Sequence, residues 1–172
     1  MFPLLDRLPK KIQPHALKFG LNFWPCIGRT GGRVVYVSDD FMQLRVRLKL
    51  NWKTRNLVGT IFGGSLYAST DPFFMILLYK LLGQDYVVWD KGCTLRFRKP
   101  ASRTIHADFI ITPEMLQEVK DSVARDGETT FTWKIAYRDE QGTVYAEFDK
   151  VLYAASKDFY KAKLEKRTPI QA

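Results

Sequence analysis

Asp71 is the side chain whose neighbours best equip it for chemistry. It lies seven residues past a Gly-Gly pair in segment 56–71, N-L-V-G-T-I-F-G-G-S-L-Y-A-S-T-D, where a glycine-bearing turn gives way to an apolar run. A Gly-Gly pair opening a helix lets a ligand approach the backbone. The first turn of that helix offers N–H groups with no intrahelical partner, at the positive end of its dipole. Such a place suits a developing oxyanion, with the Gly64 N–H as donor. Two turns further along an apolar helix, Asp71 is a carboxylate in poor solvent, and its pKa rises unless a partner charge compensates. A group in that state acts as a general base on water or attacks a carbonyl carbon directly.

Composition narrows the alternatives. His15 and His106 are the only histidines and Cys26 and Cys93 the only cysteines, in no C-x-x-C or H-E-x-x-H spacing, so neither a metal centre nor a disulfide framework is expected. Both cysteines read as small buried apolar residues, and their paucity fits a reducing, cytoplasmic setting. Ser65 and Ser69 lack the G-x-S-x-G elbow of a serine nucleophile. With 27 Lys plus Arg against 18 Asp plus Glu, the formal charge of +9 favours an anionic partner. Nucleic acid is one such class, but no aromatic RNP-type or zinc-finger motif accompanies the charge. Asp6 and the prolines at 3, 9 and 14 break up the N-terminus, which does not read as a signal peptide. The longest apolar run, 72–79, falls far short of the roughly 20 residues of a bilayer span.

The elements that must position Asp71 follow from periodicity. Arg33–Ser38 and the strictly alternating Gln43–Leu50 predict a hairpin, with Leu44, Val46, Leu48 and Leu50 on its buried face. Ser65–Gly83, apolar all round, predicts a long buried helix that Pro72 should kink, leaving the Ala68 carbonyl without its usual donor. Four further strands are expected at Tyr86–Arg98, Thr104–Thr112, Thr129–Arg138 and Val144–Ala154. A helix capped by Thr112 and Pro113 separates the middle two. Short connections make most of the pairing antiparallel. The expected fold is α+β, a sheet of about six strands wrapped around one long central helix over residues 28–155. Residues 1–27 form an amphipathic helical lead packed on it, and 156–172 a charged tail.

The Asn56–Asp71 segment resembles the signature of hotdog-fold acyl-CoA thioesterases of the phenylacetate-pathway type, N-x-x-G-x-x-H-G-G followed by six residues and an acid. Asn56, Gly59, Gly63, Gly64 and Asp71 stand at matching spacing, and R-F-R-K-P-A at 96–101 is similar to the end of that family's third strand. One thioesterase-like branch, in which G-T-I-F-G-G and V-W-D-K recur together, is the most similar. The resemblance implies an acyl-CoA thioester or acyl-carrier thioester as substrate, no cofactor, and a homo-oligomer, dimer or tetramer, with sites built from both subunits. Asp71 is implied as base or nucleophile, Gly64 as oxyanion donor, and Asn56, Phe62 and Gly63 as neighbours of the substrate. Phe62 replaces the family's histidine, so a catalytically weak acyl-CoA or acyl-carrier binding protein is the second reading. Counting back from Pro100, Asp90 stands where related enzymes hold the attacking water, and it pairs with Asp71 or else with a surface arginine. Strand alternation places Lys91 beside Trp89, Cys93, Leu95 and Phe97 on the apolar face, as counter-ion to Asp71. Arg98 and Lys99 are the candidates for the phosphates of CoA.

Overall fold

The computed structural model describes residues 3–167. Three short helices, α1 (Pro3–Asp6), α2 (Gln13–Phe23) and α3 (Pro25–Gly28), lead into β1 (Gly32–Val37) and β2 (Gln43–Leu48). Helices α4 (Gly63–Ala68) and α5 (Phe73–Leu82) follow, then β3 (Tyr86–Phe97), β4 (Ile105–Ile110), α6 (Pro113–Asp126), β5 (Glu128–Arg138), β6 (Val144–Ser156) and α7 (Lys157–Arg167). Every strand pair is antiparallel, and the six-stranded sheet runs β1-β2-β4-β5-β6-β3. The chain crosses the whole sheet between β2 and β3, and α4 and α5 make that crossing.

Alternation does what the sequence predicts for β2: Leu44, Val46 and Leu48 are fully buried while Arg45 and Arg47 face the other way. Against this inner face lies α5, where Phe73 and Phe74 meet Phe109 edge-on at 5.2 and 5.0 Å between centroids, and Phe74 meets Trp133 at 5.2 Å. Burial of these rings and of Ile76, Leu77 and Leu78 supplies the main hydrophobic stabilisation. The N-terminal helices cover β1. Leu17, Leu21 and Ile27 are buried, and the Asn22 amide exchanges hydrogen bonds of 2.8 and 2.9 Å with the Val34 backbone.

The helix predicted over Ser65–Gly83 is broken in two. Proline at 72 has no N–H to give, and the chain leaves helical geometry from Ser69 to Pro72, with a cis Asp71–Pro72 peptide. Each carbonyl freed by the break finds another donor. Asp71 N–H reaches Ala68 O at 3.3 Å, Thr70 supplies both its N–H and hydroxyl to Tyr67 O, and the fully buried Tyr137 hydroxyl donates to Ser69 O at 3.2 Å. Tyr137 also lies 2.7 Å from the Ser69 hydroxyl, and burial pushes its phenol well above the usual range. The break is therefore held by its own hydrogen bonds and by Tyr137, and it turns Asp71 out of the helix.

At the far end of the molecule, α6 has the cap expected of it: the Thr112 hydroxyl accepts from Met115 N–H, and Gly127 ends the helix at φ 78°. A Cβ on Gly127 would lie 2.2 Å from a ring carbon of Phe159 on α7. Gly127→Ala is expected to destabilise the fold by at least about 1 kcal/mol, from strain at positive φ plus displacement of the ring. Urea titration would check this, and Phe159→Ala in the same background should recover only the steric part.

Candidate functional site

The Gly-Gly pair does open a helix. Residues 54–62 are pinned in front of it: Phe62 N–H donates to Thr54 O at 2.7 Å and Ile61 N–H to Ala101 O at 2.8 Å. Asn56 organises the turn itself, its Oδ1 accepting from the N–H groups of Val58 and Thr60 and its Nδ2 donating to the Thr60 hydroxyl. Asn56 thus acts through the loop that delivers α4, as a residue in an Asx-type turn commonly does. Phe62 occupies the N-cap position, and no side chain caps the helix. A Cβ on Gly64 would sit 2.2 Å from the Phe62 ring, and one on Gly63 would sit 2.9 Å from the Phe97 ring. The two glycines therefore let two exposed aromatic rings lie directly on the helix opening.

The carboxylates come together as the sequence suggests, but over a different cation. The Nζ of Lys150, on β6, is 3.4 Å from Asp71 Oδ1 and 3.4 Å from Asp90 Oδ2 on β3. The Lys150 side chain is only 3% exposed, Asp90 is 18% exposed, and Asp71 is 54% exposed. The contact with Asp90 is in ion-pair range without hydrogen-bond alignment, and both Asp90 oxygens are buried with no hydrogen-bond donor. Burial pushes the Asp90 carboxyl up to about 6. The neighbouring Asp71 carboxylate adds to the rise, and Lys150 opposes it. Cys93, opposite Lys150 in the β3–β6 register, completes the cluster, and burial raises its thiol pKa. The arrangement is one solvent-facing carboxylate, one buried carboxyl able to share its proton, and a buried ammonium to hold the net charge down.

Lys91 is not the counter-ion. The β3–β6 register slips between Asp90 and Gly92, and Lys91 is the extra residue of a β-bulge. The slip reverses the alternation: Val88 and Asp90 face inward before it and Cys93, Leu95 and Phe97 after it, while Trp89 and Lys91 turn out. Lys91 lies exposed over the Tyr153 ring at 5.4 Å. Lys150 takes the role instead, and a signal for it was present in the alternate positions Ala146, Phe148, Lys150, Leu152 and Ala154, one cation on an otherwise apolar face. Arg98 and Lys99 are exposed at the end of β3, with Arg98 held by Glu147 at 2.7 Å and Arg96 by Asp149 at 2.6 Å. Arg103 stands 3.7 Å from Asp139. His106 lies away from Asp71, in the charged cavity of about 950 Å³ on the outer sheet face. Among the described residues no cluster of potential ligands would hold a metal ion, and no helix is long and apolar enough to cross a membrane.

The family described as Domain of unknown function (DUF4442) matches residues 15–154, which include every part of this site. The chain belongs to the DUF4442 family. No curated protein matches it. Among solved structures, this DUF4442 chain is similar to a Pseudomonas aeruginosa protein of unknown function called a probable thioesterase. Identity is 22%, coverage is 87% of this chain and 97% of that one, and the TM-score is 0.69. It is also similar to a protein of unknown function from Chlorobaculum tepidum, at 17% identity, 83% and 94% coverage and a TM-score of 0.66. A thioesterase from Haemophilus influenzae matches at 12% identity, 83% and 90% coverage and a TM-score of 0.61. The likeness is one of fold: the antiparallel sheet around a central helix in this DUF4442 protein is the hotdog fold of thioesterase-like proteins.

Proposed function

We propose that the protein hydrolyses an acyl-CoA or acyl-carrier thioester. The observation that carries this reading is the pair of carboxylates, Asp71 and Asp90, converging on one buried ammonium at the end of a glycine-opened helix. Asp71, the exposed member, takes a proton from water, or attacks the carbonyl carbon itself. In the first route the oxygen of that water bonds to the carbonyl carbon, the carbonyl oxygen gathers charge against the Gly64 N–H, the C–S bond breaks, and the proton passes from Asp71 to the departing thiolate. In the second, the C–S bond breaks as the acyl–Asp71 anhydride forms, and water then hydrolyses the anhydride and supplies the thiol proton. Asp90 shares the proton, and Lys150 keeps the doubly ionised pair tolerable in a poorly solvated place. Gly63 permits the close approach, with the Phe62 and Phe97 rings as walls over the reacting group. Arg98 and Lys99 follow Phe97 directly, so their positive charge lies at the mouth where the phosphates of CoA would emerge.

A homodimer or larger homo-oligomer is part of this proposal. Among the described residues, β3 is an edge strand of 12 residues that pairs with β6 alone, and such a long open edge invites a partner strand. Trp89 and Phe97 on it, with Leu57, Val58, Phe62 and Tyr67 around α4, are exposed apolar residues of the kind an interface covers.

Phe62 favours one alternative, a protein that binds the thioester and barely turns it over, because its ring lies on the intended donor, Gly64. A panel of acyl-CoA thioesters assayed for thiol release, beside calorimetric binding, separates the two: tight binding without release selects the binder. In the hydrolase, kcat/KM should rise with pH through about 6 as the Asp90 carboxyl loses its proton. Asp90→Asn is expected to move that midpoint below 6, since it removes the group whose burial sets it. An unmoved midpoint would remove Asp90 from the mechanism.

A further inference from the structure

An apolar cavity of about 470 Å³ lies between the N-terminal helices and α5, and neither the packing of the core nor the carboxylate pair accounts for it. Its walls include Leu17, Gly20 and Leu21 of α2, Trp24 just after it, and Met75 and Ile76 of α5. Its volume is within the range of small-molecule sites. Two features connect it to the chemistry. Pro72 forms part of the wall, so the cavity begins one peptide bond from Asp71. Gly20, which is exposed, borders it from mid-helix, and an added Cβ there would meet nothing within 4 Å, so a larger side chain at this position has room to reach into its opening.

We infer that this cavity receives the aliphatic acyl chain of the substrate, with the N-terminal helices as its outer wall. The inference rests on the thioesterase reading for its occupant, and it commits that reading to a medium-chain aliphatic acyl group. At roughly 30 Å³ per small heavy-atom group, the share of one molecule in liquid water, the cavity accepts about ten to fifteen chain carbons. A charged or polar acyl group has no partner there, whereas each buried methylene adds about fourfold in affinity.

The test uses the full chain and has two arms. In the first, kcat/KM is measured for saturated acyl-CoA thioesters from two to sixteen carbons. The value should climb about fourfold per added methylene and level off near ten to fifteen carbons. Gly20→Phe, which places a ring in the cavity, should lower the ratio of decanoyl to acetyl turnover at least tenfold. In the second arm no turnover is needed. Cys26 lines the cavity and is exposed, while Cys93 is partly buried with a raised thiol pKa. N-ethylmaleimide should therefore label Cys26 first, and decanoate should slow that labelling in the unmodified chain but not in Gly20→Phe.

Chain-length selection that Gly20→Phe leaves unchanged, together with labelling of Cys26 that decanoate does not slow, overturns the inference and leaves the hydrolase reading standing. Protection of Cys26 by decanoate with no thioester hydrolysed overturns the hydrolase reading and supports the cavity as an acyl site. Absence of both overturns both.

Discussion

Asp71→Asn is expected to lower thioester hydrolysis by about 10²- to 10⁴-fold, the range that a positioned general base contributes. The substitution keeps the size of the side chain and removes its ability to accept a proton or form an acyl bond. Folding should be spared. Asp71 is half exposed, and Lys150 keeps Asp90 at 3.4 Å as a counter-ion once Asp71 is neutral. The circular dichroism spectrum should therefore be unaltered while kcat collapses and binding of the acyl-CoA persists. Isotope labelling separates the two routes: single turnover in ¹⁸O-water labels the Asp71 carboxylate if it is the nucleophile and only the product acid if it is the base. Hydrolysis at the unmodified rate in the Asn variant would sink both.

Lys150→Met carries the second large effect, visible in stability as well as rate. The Asp90 carboxyl is held near 6 in the folded chain against 3.8 for an unperturbed aspartate, so the folded state binds this proton more tightly than the unfolded one. Over that window, stability falls as pH rises. The loss is complete only above about 6, and the stabilisation is fully present only below 3.8. Lys150 is the cation that opposes the rise. Its removal leaves Asp90 buried without a positive partner, and the carboxyl moves above 6. The window of declining stability then extends upward. Lys150→Met should resemble the unmodified chain near pH 4, where the carboxyl is neutral and no buried ammonium needs compensation. It should be markedly less stable at pH 8. Melting curves at the two pH values check this, and the acid limb of kcat/KM should shift upward with them. A difference in melting temperature that is the same at both pH values would remove Lys150 from its role as counter-ion.

Much of this architecture is legible in local pattern. The alternation of Leu44, Val46 and Leu48, the Thr112-Pro113 start of α6 and the glycines at 63 and 64 each declare their element through short-range physics. The resemblance to hotdog-fold thioesterases, carried by the 56–71 and 96–101 segments, also places Asp71 and Asp90 in one site. Three features were not legible. Proline at 72 announces an interruption, but whether the helix bends or separates depends on donors far away in sequence, above all the Tyr137 hydroxyl on β5. The cation over the carboxylates was assigned to Lys91 because a strand was read as an unbroken period of two, and a bulge has no reliable mark in one sequence. The acyl-sized cavity depends on how α2 settles against α5, which no periodicity encodes.

The bulge at Lys91 divides β3 into two reading frames. Upstream of it, even-numbered residues look inward; downstream, odd-numbered ones do. Lys91 is the residue that the ladder skips: Asp90, Gly92 and Cys93 pair in turn with Leu152, Val151 and Lys150. A one-residue deletion there would leave that ladder unbroken, with Asp90 and with Cys93, Leu95 and Phe97 still on the inner face. As the chain stands, the half of the strand that carries Asp90 and the half that walls the helix opening share one face because the bulge takes up the residue between them.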